Sequence, residues 1–169
     1  MKKFKLTSEF IVDISGVKLF RIKALIEFGN VKAGDLGGYI EKEENLSHMG
    51  NAWVSGDAQV SGDAQVFGDA RVSGDAQVFG NARVSGNARV SGDARVFGDK
   101  DYAYAHGFGS CNRTTTFFRL KDGDVGVRCG CFYGTLAQFR DKVCETHGET
   151  KKAQEYLMLA DLMDFRFKN

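Results

Sequence analysis

The chain has 169 residues with 23 Lys and Arg against 22 Asp and Glu, a formal net charge of +1. That length suits one domain of moderate size or a capped solenoid, and the near-neutral balance excludes bulk nucleic acid or a membrane surface as an electrostatic partner. No apolar run approaches a bilayer span, no secretory segment follows Lys2 and Lys3, and four irregularly spaced cysteines suit a reduced compartment, so the expected location is the cytoplasm.

In chain order, residues 1 to about 30 read as two or three short strands around the turn Asp13-Ile14-Ser15-Gly16. They carry large apolar side chains that the following segment lacks, namely Phe4, Phe10, Ile11, Phe20, Ile22 and Leu25. Residues 34–49 look like degenerate repeats, with Ile40 and Leu46 in the phase of the later Ala positions.

From Gly50 to Gly98 the sequence repeats every six residues as Gly-(Asp/Asn)-Ala-(Gln/Arg)-Val-(Ser/Phe), with Trp53 in the first unit's fourth position. A fixed short period marks a solenoid rather than an amphipathic helix or an isolated strand. Gly followed by Asp or Asn tolerates positive φ at a corner, and Ala, two residues before Val, shares its side of an extended segment, so Ala and Val point inward. Beyond Gly98, Tyr102 and Phe108 keep the Val phase. The coil count expected is about four.

Residues 113–133 form two strand-like runs about Asp122-Gly123-Asp124, a hairpin signal. Thr135 is placed to N-cap a helix running to about Thr146, and a second helix covers about 150–166 with Ala153, Leu157, Ala160, Leu162, Met163 and Phe165. The expected organisation is an N-terminal β cap at 1–33, a repeat region at 34–109 and a C-terminal ββαα tail at 110–169.

The repeat resembles the hexapeptide-repeat, left-handed parallel β-helix family, in which three hexapeptides make one triangular coil. The resemblance implies a mainly β fold and a homotrimer with coils side by side. One departure is that Ser or Phe follows the inward Val where many members have Gly. Residues 34–54, 130–139 and 146–148 additionally resemble a group of small phage and prophage proteins, which implies an accessory role in a mobile element.

Residues eighteen apart stack, at about 4.8 Å per rung. One face then carries Gln59/Ser61, Gln77/Phe79 and Arg95/Phe97; a second carries Gln65/Phe67 and Arg83/Ser85; a third carries Trp53/Ser55, Arg71/Ser73 and Arg89/Ser91. Phe79 and Phe97 form an outward ladder whose burial is worth about 3 to 6 kcal/mol. With Phe67 they are the expected oligomer interface. Arg71 above Arg89, with Trp53 one rung away, suits a phosphate and a stacked ring; Arg83 and Arg95 are further candidates. The alternative is a solvated wall in which Asp69 and Asp75 pair with these arginines.

Acyl transfer, which the hexapeptide resemblance raises, needs a His base, and only His48 and His106 flank the repeat. A zinc site from Cys129, Cys131, Cys144 and His147 is conceivable, but C-x-C…C-x2-H is a weak spacing, and a buried hairpin side explains the first two cysteines equally well. No catalytic residue, cofactor or metal is assigned. The expected function is a non-catalytic homotrimeric binding protein that sequesters a small anionic, nucleotide-like ligand or otherwise counters a host defence factor. The alternatives are a protein-protein inhibitor acting on a host protein through the tail, and an acyltransferase with a rim His.

Overall fold

The computed structural model describes residues 1–168. Three strands lead in, β1 (Phe4–Val12), β2 (Lys18–Ala24) and β3 (Leu36–Ile40). Eight two-residue strands follow, β4 to β11, at Trp53–Val54, Gln59–Val60, Gln65–Val66, Arg71–Val72, Gln77–Val78, Arg83–Val84, Arg89–Val90 and Arg95–Val96. The tail contains β12 (Tyr102–His106), β13 (Thr114–Arg119), β14 (Val125–Cys129), β15 (Phe132–Thr135), α1 (Leu136–His147) and α2 (Lys151–Phe167).

The hexapeptide dictates the coil. Each Gln/Arg-Val pair is extended, and the Ala and Val of every unit from Ala52 to Val96 are fully buried. Each corner from Gly50 to Gly92 turns on a glycine in the left-handed region; at Gly68, φ is +70 and an added Cβ would stand 3.1 Å from the Gly86 nitrogen of the next coil. Only glycine meets both the dihedral and the close approach.

Parallel pairing at a spacing of eighteen builds three walls. The first has the order β1-β2-β3-β5-β8-β11, in which the lead-in strands β1, β2 and β3 pair antiparallel; the second is β6-β9, and the third is β10-β7-β4. The protein is therefore mainly β, a β-solenoid of about three turns rather than the four expected, with two C-terminal helices. Ile40 pairs with Val60, and Leu46 bridges to Val66, so both occupy Val rather than Ala positions. The cause is an eight-residue step from Leu46 to Val54 where the strict repeat takes six. Tyr102 joins the solenoid core as its phase implies, whereas Phe108 is exposed because the chain has by then left the coil.

Corner hydrogen bonds run from an N–H of one coil to a carbonyl of the next, as in Ala52 N to Gly68 O and Asp69 N to Gly86 O. The first coil thus leaves corner carbonyls uncovered and the last leaves N–H groups, and each end needs the opposite chemistry. At the amino end the buried Lys3 ammonium donates to Ala52 O at 2.8 Å and Gly50 O at 3.3 Å, while the Asn45 amide donates to Gly62 O and Ala64 O. At the far end the Asp101 carboxylate accepts from Phe97 N and Gly98 N, Asp99 accepts from Arg83 N, and Thr116 Oγ1 accepts from Arg89 N.

The lead-in hairpin caps only in part. Phe4 and Ile22 enter the solenoid core, but Phe10 and Leu25 stay exposed outside it. The tail differs from the expected ββαα. The run 125–133 breaks at Gly130 (φ +58) into β14 and β15, and β12 pairs with β13, giving a four-stranded antiparallel sheet followed by two helices. Thr135 N-caps α1 as its position implied, its hydroxyl accepting from Gln138 N. Among the described residues, no helix is long and apolar enough to cross a membrane.

Candidate functional site

The third wall brings Trp53, Arg71 and Arg89 into register, with Trp53 opposite Arg71 and Arg71 opposite Arg89. Two excursions of the chain rise beside this wall. The loop through Gly29 crosses one side, and the tail contributes His106, Arg113, Thr114 and Gly130 on the other. Between them lies a cleft of about 520 Å³, completed by Asn51, Asp69 and Asn87 on one stacked corner. Its volume falls within the usual range for small-molecule sites, about 300–1,000 Å³.

The electrostatics of the cleft decide what it suits. Asp69, which also lines the cleft, is hydrogen-bonded to its stacked neighbour: its Oδ1 accepts from Asn51 Nδ2 at 3.0 Å and Asn51 N at 3.3 Å. Among the described residues, Arg71, Arg89 and Arg113 take part in no salt bridge. The ion-paired wall is therefore not what forms. Burial, and then the Arg89 charge, pull the Arg71 pKa below its ordinary value, with Asp69 opposing; a guanidinium nonetheless stays charged. His106 Nδ1 lies 2.8 Å from Thr114 Oγ1, which fixes the ring at the rim.

The other sequence candidates fall out differently. Trp53 is only 4% exposed and packs edge-on against Phe28 at 5.3 Å, so it belongs to the core and does not offer a face for stacking. The lead-in loop covers it, a contact that the repeat pattern alone does not reveal. Arg83 and Arg95 stand on different walls from Arg71 and from each other. Arg83 lies over the Phe67 ring at 5.3 Å, and Arg95 Nη1 donates to Asp75 O and Ala94 O. Phe79 and Phe97 do form a ladder, edge to face at 5.1 Å with Phe97 56% exposed, whereas Phe67 is on the second wall and apart from them.

His48 is a packing residue. Its ring stacks on Phe4 at 4.2 Å, Nδ1 accepts from Lys3 N, and Nε2 lies 3.5 Å from Glu43. The proposed zinc ligands do not converge. Cys129, Cys131 and His147 line one small cavity of the tail, while Cys144 is exposed and outside it. Among the described residues, no three His, Cys, Asp or Glu side chains are grouped to hold a metal ion.

A family model described as the YdcK beta solenoid repeat matches residues 64–78 and 76–90. With the observed coil, that match supports membership of a β-helix repeat class. The matched residues include Arg71, Arg83 and Arg89 but neither the Gly29 loop nor the tail. The repeat therefore accounts for the wall of the cleft and not for its flanks. No curated protein matches the chain.

Sequence reasoning missed Arg113, Gly29 and Gly130, and offered His106 only as a rim base for acyl transfer. Arg113 and His106 bracket a loop with no periodicity, and only the folded tail carries them to the wall. The two glycines carried a weak signal, since each lies in a short non-repeat turn. In the structure each makes room for a guanidinium: a Cβ on Gly29 would stand 2.8 Å from Arg71 Nη2, and one on Gly130 would overlap Arg113 Nη1.

Proposed function

We propose that this chain is a non-catalytic binding protein whose basic cleft holds a small phosphate-bearing, nucleotide-like anion. The observation that supports this most is the convergence of Arg71, Arg89 and Arg113, none in a salt bridge among the described residues, on one cleft of about 520 Å³. Three cations facing a single carboxylate, Asp69, leave the cleft with excess positive charge, which costs stability. An anion offsets that cost through charge-assisted, bidentate contacts. In this reading one chain's own residues form the site.

The coil in this reading is left-handed, as the hexapeptide resemblance implies, and three chains associate through the Phe79 and Phe97 wall in the cytoplasm. The resemblance to small phage and prophage proteins makes sequestration of a host-made signalling ligand the role that we assign. The test is calorimetric titration of adenosine 5′-monophosphate into the native protein and into an Arg71→Ala, Arg89→Ala variant, with native mass spectrometry reporting subunit number. Binding lost in the variant while the assembly persists supports the reading; equal affinity in both removes the cleft as the site.

A second reading has its own observation. On α2, Met158, Leu162 and Phe165 are 71%, 55% and 80% exposed and recur at helical spacing. This apolar stripe favours a protein contact through the tail, the inhibitor alternative. Charged substitutions on the stripe would abolish host-protein binding without affecting the cleft.

A further inference from the structure

Arg113 lines two cavities. One is the basic cleft; the other is a pocket of about 280 Å³ within the tail. Partly exposed Phe132 makes its aromatic floor, backed by the buried core rings: Phe132 packs against Phe139 at 5.6 Å, and Phe139 meets Tyr156 edge to face at 5.7 Å. Lys142 and His147 stand at its rim with Arg113, and no carboxylate among the described residues lines it. An apolar aromatic floor with a cationic rim suits a planar ring that bears hydrogen-bond acceptors.

The junction is held in place rather than loose. Gly109 N donates to Glu155 Oε2 at 2.7 Å and Ser110 N to the Tyr156 hydroxyl at 3.0 Å, which ties the loop leading to Arg113 onto α2. The Tyr156 hydroxyl is thereby engaged with Ser110.

We infer that the two cavities are halves of one bipartite site, with a phosphate among Arg71, Arg89 and Arg113 and a planar heteroaromatic ring against Phe132, the partly exposed aromatic of the tail pocket. This deepens the proposed function and rests on it. It also assigns the ring a place that Trp53, buried under the lead-in loop, does not supply. Nucleoside monophosphates fit this chemistry; a sugar phosphate without a base fills only the basic half.

The test uses the full chain and calorimetric titration with ribose 5-phosphate and the four common nucleoside 5′-monophosphates. At least one nucleotide is expected to bind tenfold or more tightly than ribose 5-phosphate. Cys131→Phe, which fills the tail pocket from an exposed position, should erase that advantage while leaving ribose 5-phosphate within twofold. Lys142→Ala with His147→Ala, both at the rim, is the second variant and should shrink the advantage severalfold. If all five compounds bind alike and neither variant matters, the ring pocket is overturned while the anion reading stands. If none binds to the native protein, both fall together.

Discussion

The Arg71 guanidinium runs under Gly29 so closely that a Cβ on residue 29 would stand 2.8 Å from Nη2, and Gly29 itself has φ +53. Glycine suits the dihedral there, and a side chain would have to displace the guanidinium. Gly34 separates the two requirements, since its φ is +94 but nothing lies within 4 Å of an added Cβ. Both Gly29→Ala and Gly34→Ala should lose about 1–2 kcal/mol from left-handed strain. Only Gly29→Ala should also displace Arg71 and weaken nucleotide binding, by about fivefold or more, equivalent to about 1 kcal/mol. Urea unfolding and calorimetry on the two variants check this; an equal loss of affinity in both would show that the loop, not the Arg71 contact, matters.

Arg71 and Arg89 face each other across adjacent rungs without a carboxylate partner among the described residues. Removing Arg89 should therefore stabilise the free protein at low salt, by about 0.2–1 kcal/mol, while weakening anion binding. The gain should fade near 1 M salt, where the Debye length is about 3 Å. Arg83→Ala should behave oppositely, losing about 0.5–1 kcal/mol with its stacking on Phe67. Denaturation midpoints at two salt concentrations distinguish these signs.

The walls were legible because the repeat fixes both periodicity and facing: Gln59, Gln77 and Arg95 stack, as do Trp53, Arg71 and Arg89, on the walls that a spacing of eighteen assigns. What lies over the walls was not. Trp53 shares the outward phase of Arg71, yet Phe28 comes from a non-repetitive loop to cover it. Arg113 joins Arg71 only because the tail folds back, a long-range placement that no local pattern encodes. The run 125–133 has the composition of one strand, and only the backbone shows Gly130 as the positive-φ turn between β14 and β15.

Lys3 gives the amino-terminal cap a pH signature. Burial, followed by repulsion from Arg71, lowers its pKa from 10.5 to about 8, with Asp69 opposing. Between those values the unfolded chain binds more protons than the folded one, so this group's contribution makes stability rise with pH from about 8 to about 10.5 and leaves it flat below. Lys3→Met lacks the titration. The difference in unfolding free energy between the native protein and this variant should therefore grow across that window. In an Arg71→Ala background the rise should begin at higher pH, because the second cause of the shift is gone. Urea midpoints from pH 6.5 to 10.5 measure both effects; a flat difference would mean that Lys3 is not desolvated.

The apolar residues of α2 divide between two faces. Ala153, Tyr156, Ala160, Met163 and Phe167 face inward, and Met158, Leu162 and Phe165 face out. Position along the helix decides this, since 156, 160, 163 and 167 follow one stripe at spacings of four, three and four. Leu162→Glu and Phe165→Glu should then leave stability within about 0.5 kcal/mol, as exposed substitutions do. Met163→Ala, in contact with the tail core, should cost about 2–5 kcal/mol. If the two glutamate variants instead unfold the tail, the stripe is covered in the native assembly, and the most direct explanation is a sister subunit seated on it. Thermal unfolding at two protein concentrations decides, because a stripe buried between subunits makes the midpoint concentration-dependent and a free one does not.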